Sequence, residues 1–326
     1  MKRKIILTIL ILFLAVFSYF FLGRETPKGD IVWGVNFSQK HAQNLGLDWK
    51  EVYSALIHDL GARNIKVASY WDLLEKEDGQ YDFEDLDWQL ETAKENGVSV
   101  MLVVGMKSPR WPECHIPEWA KGLTKEEQQE KILEFINTLV SRYRENSAIS
   151  MWQVENEPFF PFGECTWADK EFLKMEVEFV RALDDRPVII SDSGEGSFWF
   201  QAASIGDVVG TTMYRKVWVW QIEKYFTYPF PPVFYGRKAN LINLFFDKEV
   251  ICVELQAEPW GPELLYTSPP EEQAKTMNLD KFKENIEYAE KTGLSGFYLW
   301  GAEWWYWMKE KQGQDQIWQE ARNLFK

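Results

Sequence analysis

The stretch Ile149-Ser-Met-Trp-Gln-Val-Glu-Asn-Glu-Pro158 decides how this chain is read. An apolar run of strand length ends abruptly in two carboxylates and an amide. In front of it lies the clearest helical pattern in the sequence. Thr124 and Glu127 have the spacing of a capping box, and Ile132, Phe135, Ile136, Leu139, Val140 and Tyr143 then follow the spacing of one helical face. Behind it a second helix is predicted over about Asp169 to Leu183, then another short apolar run, Val188 to Ser191. Strands alternating with helices predict a parallel sheet.

Outward from this centre the alternation continues in both directions. Towards the N-terminus, strands are expected at Ile31 to Asn36, Ile65 to Tyr70 and Val98 to Val104. The last of these is almost wholly apolar, as a strand buried on both faces should be. Between them lie a helix with Asp48 as N-cap and Glu51 three residues on, and a second helix over about Phe83 to Asn96 that stops at Gly97. Towards the C-terminus, strands are expected at Val208 to Tyr214, Val250 to Glu254 and Gly296 to Trp300. An aromatic, Pro-rich stretch, Val217 to Phe246, is read as a loop and a helix. Further helices are expected at Leu279 to Lys291 and Gln314 to Phe325. Eight strands, each followed by a helix or a helix-sized gap, form the pattern of a (β/α)8 TIM barrel. A doubly wound open sheet is disfavoured because no glycine-rich fingerprint follows the first strand.

The first residues read differently. Lys2, Arg3 and Lys4 precede an uncharged 18-residue stretch, Ile5 to Leu22. As a helix this run spans roughly 27 Å, close to the hydrocarbon thickness of a bilayer. The expected organisation is a cytoplasmic basic tail over 1–4, a transmembrane signal-anchor over 5–22, a linker over 23–29 and one catalytic-sized domain over 30–326. No small-x-small site follows the run, which favours an uncleaved anchor, with the domain outside the cytoplasm, over a cleaved signal peptide and a secreted product.

The composition narrows the function. With a net charge of −14 the chain is no binder of nucleic acid. Its 17 Trp serve either core packing or the stacking of sugar rings, and composition does not separate the two. Three scattered His, at 41, 58 and 115, offer no metal-ligand spacing and no Ser-His-Asp arrangement. No cofactor or metal is implied, and a monomer is expected. Cys252 lies in an apolar run, whereas Cys114 and Cys165 fall in the loops after the third and fourth strands, which a barrel places side by side; a disulfide between them is a hypothesis that the sequence leaves open.

In such barrels chemistry gathers at the C-terminal ends of the strands. There the sequence places Glu155, Asn156 and Glu157, Tyr214, Glu254 and Trp300. Two carboxylates across one mouth suit glycoside hydrolysis, in which one protonates the leaving oxygen and the other attacks the anomeric carbon or activates water. Asn-Glu-Pro after an apolar strand, with Val253-Glu254-Leu255-Gln256 at strand seven, resembles the clan A glycoside hydrolases, retaining barrels that include cellulases, mannanases, xylanases and β-galactosidases. Gly79-Gln-Tyr-Asp-Phe83 with Leu86-Asp-Trp88 resembles the second unit of the β-galactosidase-like members. The resemblance implies Glu157 as acid/base, Glu254 as nucleophile, Asn156 on the sugar 2-hydroxyl, Tyr214 as donor to the nucleophile and Trp300 as the sugar's floor. Glu258 competes as nucleophile, and Glu155 stands as a supporting neighbour of Glu157. Glu303 and Trp304 are candidates for substrate hydroxyls, and Trp71, Trp111, His115 and Trp260 for outer subsites. Lys66 stands in strand two where many family 5 members carry Arg. A non-catalytic carbohydrate-binding barrel and a transglycosylase are the alternatives.

Overall fold

The computed structural model describes residues 2–26 and 29–326. Met1 of the basic tail, and Pro27 and Lys28 of the expected linker, lie outside the described residues. Eight parallel strands, β1 (Val32–Phe37), β2 (Asn64–Ala68), β3 (Ser99–Val104), β4 (Ile149–Val154), β5 (Val188–Asp192), β6 (Val208–Met213), β7 (Val250–Gln256) and β8 (Gly296–Trp300), pair in sequence order. β8 returns to pair with β1 and closes the barrel. The apolar runs were therefore strands, in the expected number and order.

Two shells of apolar side chains hold the barrel. Met101, Ile189, Ile251, Val253 and Tyr298 cluster together, while the larger core lies between the strands and the helices around them. Gly34 of β1 makes the first shell possible, because a Cβ there would stand 2.7 Å from the Tyr298 ring. Most large aromatics serve the outer core: Trp71, Trp152, Trp199, Trp304, Trp305 and Trp318 are fully buried.

The helix Lys125–Tyr143 starts on the expected capping box, with both reciprocal bonds between Thr124 and Glu127 formed. Asp48 caps its helix by accepting from the N–H groups of Lys50 and Glu51. That helix then widens into a π turn, Leu56–Leu60, and stops at Gly61. Several elements departed from expectation. An antiparallel hairpin, Lys216–Val219 with Lys224–Thr227, rises from the stretch read as a loop, each arm too short for its alternation to register. A short helix, Phe200–Ile205, fills the gap between β5 and β6. Another, Ala302–Gln312, follows β8 at once; its aromatic residues occupy several faces, so no periodicity betrays it. The last helix is accordingly shorter, Gln316–Arg322.

Cys114 and Cys165 form a disulfide between the loops after β3 and β4, which the sequence had left open, and Cys252 is a buried free thiol. The N-terminal run is one helix, Lys2–Phe21, long and apolar enough to cross a membrane. It stands clear of the barrel except at its last turn, where Phe20 and Phe21 pack against Phe198, Phe230 and Phe234.

Candidate active site

Glu155, Asn156 and Glu157 leave the end of β4 in an unusual path. Glu155 and Glu157 both have left-handed backbone, φ 57° and 42°, a conformation that costs a non-glycine residue on the order of 1–3 kcal/mol. Consequently the two glutamates do not share a face as they would in a continuing strand. The Glu155 carboxylate accepts the backbone N–H of Met106 (2.7 Å) and of Lys107 (2.5 Å). Glu176 from the helix Lys170–Leu183 lies against it. Burial pushes Glu155 up to about 7, and burial together with the Glu155 charge pushes Glu176 well above the carboxylate range, so Glu176 is protonated at neutral pH. Gly105 is required here: its φ is 112°, and a Cβ would lie 2.2 Å from Glu155 Oε1.

Glu157 turns into the mouth. Its N–H donates to Ser191 Oγ (2.8 Å) and its Oε1 accepts from Thr212 Oγ1 (2.9 Å), which ties it to β5 and β6. Burial, reinforced by the charges of Glu254 and Glu113, raises it to about 8. Glu254, on β7, has a different environment. Its Oε1 pairs with Lys66 Nζ of β2 at 3.0 Å and its Oε2 accepts from the Tyr214 hydroxyl at 2.9 Å. Both carboxylates are buried within the barrel end.

Asn156 is held from two sides. Gln153 Nε2 donates to its Oδ1 (3.1 Å), and its own Nδ2 donates to Glu113 Oε2 (3.2 Å). Burial lifts Glu113 to about 8, so a third protonatable carboxyl adjoins the pair. Glu258 is committed elsewhere. Burial alone would raise it, but the Arg110 guanidinium, hydrogen-bonded to it, and His41 hold it at about 2. Arg110 also donates to Glu303 Oε2 (3.1 Å) and lies 3.9 Å over the Trp300 ring, covering one of its faces. The other Glu303 oxygen accepts the Ser38 N–H.

The structure thus brings Glu157, Glu254, Asn156, Tyr214 and Trp300 to one end of the barrel. Trp260 joins them edge-on to Tyr214 (5.0 Å between rings), and Phe162 links it to Trp111, which is 47% exposed at the rim. Other candidates are placed differently. Trp71 is fully buried against Phe135 and Trp119, with its Nε1 donated to Glu75, so both of its faces are in the core. Trp304 is buried and donates to Gln273. His115 is buried beside Lys40, and burial together with that charge lowers it to about 4, leaving it neutral. Glu303 is fully buried and satisfied by protein donors. Arg110, Glu113, Ser191 and Thr212 were missed. They lie in loops or inside strands without a motif. Lys66 did carry a signal, because a lysine within an apolar strand demands a buried anion.

A closed barrel with acidic and aromatic side chains converging on its C-terminal mouth has the architecture of the clan A glycoside hydrolases. The comparisons with known proteins carry the resemblance further. Residues 28–177 match the model of Glycosyl hydrolase family 10. Among solved structures, GH5_18 from Streptomyces cattleya, in complex with GlcNAc, is 14% identical with a TM-score of 0.59, over 85% of this chain and 71% of that one. Native xylanase 10B from Thermotoga maritima is 16% identical with a TM-score of 0.54, over 83% of each chain. The β-galactosidase of the haloarchaeon Halorubrum lacusprofundi is 14% identical with a TM-score of 0.61, over 90% of this chain and 57% of that one. At such identities the likeness is one of fold. Together, the family match and the fold support glycosidic bond hydrolysis.

Proposed function

We propose that the protein is a retaining β-glycosidase in which Glu157 is the acid/base and Glu254 the nucleophile. One observation carries the reading: two buried glutamates share the barrel mouth in opposite company. Glu254 is flanked by a cation and a phenol, Lys66 and Tyr214. Among the described residues no cation pairs with the Glu157 carboxyl; Lys107 binds its backbone carbonyl and lowers it, but burial and the acidic neighbours prevail and raise it to about 8. Carboxyls in contrasting environments are how such sites separate their roles.

In the first step a Glu254 oxygen attacks the anomeric carbon while the Glu157 proton passes to the departing glycosidic oxygen. The C–O bond to the leaving group breaks and a glycosyl ester forms on Glu254. In the second step water gives a proton to Glu157 and attacks the same carbon, releasing the sugar and restoring both carboxyls. In this reading Asn156, held by Gln153 and Glu113, binds the sugar 2-hydroxyl. Glu258 makes a poor nucleophile, since Arg110 and His41 already engage it. The rim aromatics Trp111, Phe162 and Trp260 suit the apolar faces of further sugar rings. The helix Lys2–Phe21 is an uncleaved anchor in this reading, with the barrel outside the cytoplasm.

The test is turnover of a panel of aryl β-glycosides by the full chain and by Glu254→Ala. The proposal expects one sugar to be turned over by the wild type, no turnover by the variant, and partial rescue by azide with release of an α-glycosyl azide. Activity that survives in Glu254→Ala would exclude Glu254 as the nucleophile.

A further inference from the structure

The side wall of the barrel beside the N-terminal helix carries exposed apolar surface that neither catalysis nor the core uses. It begins where that helix meets the domain. Tyr19, near the end of the apolar run, lies under the Arg237 guanidinium at 5.0 Å, and Arg237 also pairs with Glu25 at 3.0 Å. Arg237 belongs to the helix Pro232–Phe246, so this helix stands at the level where the apolar run ends. A tyrosine under an arginine is also the pairing found where a span leaves the hydrocarbon, with the ring and the aliphatic stem in the boundary and the charge in water.

From that point the aromatic surface is continuous. Phe20 touches Phe198 (5.8 Å between rings), Phe198 touches Phe200 (6.3 Å), and Phe200 touches Phe245 (6.4 Å). These side chains face outward: Phe198 is 50% exposed, Phe200 41%, Phe245 66% and the adjacent Leu244 73%. The patch runs along the helix Pro232–Phe246 from its first turn, where Phe234 meets Phe20, to its last. A contiguous row of exposed aromatic side chains outside the core marks a binding face, and its direct continuity with a segment able to span a bilayer names the partner.

We propose that this face, Phe198, Phe200, Leu244 and Phe245, beds into the outer interface of the lipid bilayer. The inference rests on the anchor reading of the helix Lys2–Phe21. It adds a second, monotopic contact that lays the barrel on its side wall, with the mouth opening along the membrane. Aromatic and leucine side chains in the headgroup boundary, beside an anchor already holding them there, are what such a contact requires.

The experiment uses the full chain in vesicles of phosphatidylcholine and phosphatidylglycerol, with one environment-sensitive fluorophore attached at Phe245→Cys, Phe198→Cys or Met175→Cys. Thiol labelling is selective because Cys114 and Cys165 are bonded and Cys252 is buried. Met175 is exposed on a different helix and serves as the control. Far-UV circular dichroism confirms that each variant folds. The proposal expects blue-shifted emission at 198 and 245, quenched by lipids carrying a nitroxide near the headgroup, and water-like, unquenched emission at 175. Water-like emission at all three positions, in protein that floats with the vesicles and resists alkaline extraction, would overturn the proposal and leave the anchor standing. Blue-shifted emission that nitroxide lipids do not quench would mean that a second copy covers the face, again overturning it. Protein that neither floats nor resists extraction would overturn the anchor reading and the proposal together.

Discussion

Glu157, in the turn just past β4, and Glu254, within the last residues of β7, share one end of the barrel and differ in what surrounds them. Because burial and the Glu254 charge raise Glu157 to about 8, the acid stays protonated through neutral pH. The alkaline limb of kcat/KM is therefore expected near pH 8. Glu254→Gln, which removes one of the raising charges, should move the Glu157 titration downward when followed by infrared or NMR spectroscopy of the carboxyl; an unchanged titration would mean that the two carboxyls do not interact. Tyr214 donates directly to Glu254, so Tyr214→Phe should cut kcat by about tenfold to a hundredfold, the worth of one hydrogen bond to a charged group, with KM little changed. Equal kcat in wild type and variant would remove Tyr214 from the mechanism. The positions of Glu157, Glu254, Tyr214 and Trp300 were legible because a barrel gathers its strand ends and the apolar runs marked where strands stop. Arg110 was not, because its partners Glu258 and Glu303 lie 148 and 193 residues away in sequence, and only folding pairs them. Trp71 misled for the opposite reason: a tryptophan just past a strand end looks the same in sequence whether its rings face a sugar or, as here, Phe135.

At the scale of elements, the turn from β4 into its loop is a tightly constrained feature of the site. Gly105, from the neighbouring strand end, leaves room for the Glu155 carboxylate, and Glu155 in turn anchors the backbone that carries Asn156 and Glu157. Gly105→Ala should destabilise the fold by about 1–3 kcal/mol, from the positive φ and the displaced carboxylate, and should also lower kcat by misplacing Glu157. Urea unfolding and kinetics on the same preparation check both effects. Loss of stability with unaltered kcat would separate Glu155 from the positioning of Glu157. Strands and long helices were legible wherever periodicity had room to register, as at Lys125–Tyr143. The hairpin after β6 and the helix Ala302–Gln312 were not, the first being four residues per arm and the second aromatic on several faces.

For the whole molecule, the same buried acids set how stability depends on pH. Glu113, Glu155, Glu157 and Glu195 are all raised, chiefly by burial, to about 8, 7, 8 and 7. Each is protonated in the folded chain at a pH where the unfolded chain, with a glutamate near 4.3, has lost its proton. Their contribution is complete below that value and is lost as pH rises towards 7–8. His115, lowered to about 4, acts in the opposite sense up to its unfolded value near 6.5, but it is one group against these four and Glu176, which is raised as well. Tm should therefore fall between pH 5 and 7 in calorimetry, and a Tm that rises over that interval would contradict the assigned burial of these acids. The central claim concerns Glu157 and Glu254, and the most direct test is to trap the intermediate. The full chain is incubated with activated 2-deoxy-2-fluoro β-glycosides of several sugars, which form the glycosyl ester but hydrolyse it slowly, and is then digested for peptide mass spectrometry. The account predicts one fluoroglycosyl adduct, on Glu254, absent from Glu254→Ala and longer-lived in Glu157→Ala, which lacks the base for the second step. An adduct on Glu258 or Glu113, or turnover of the parent glycoside with no adduct on any carboxylate, would contradict it.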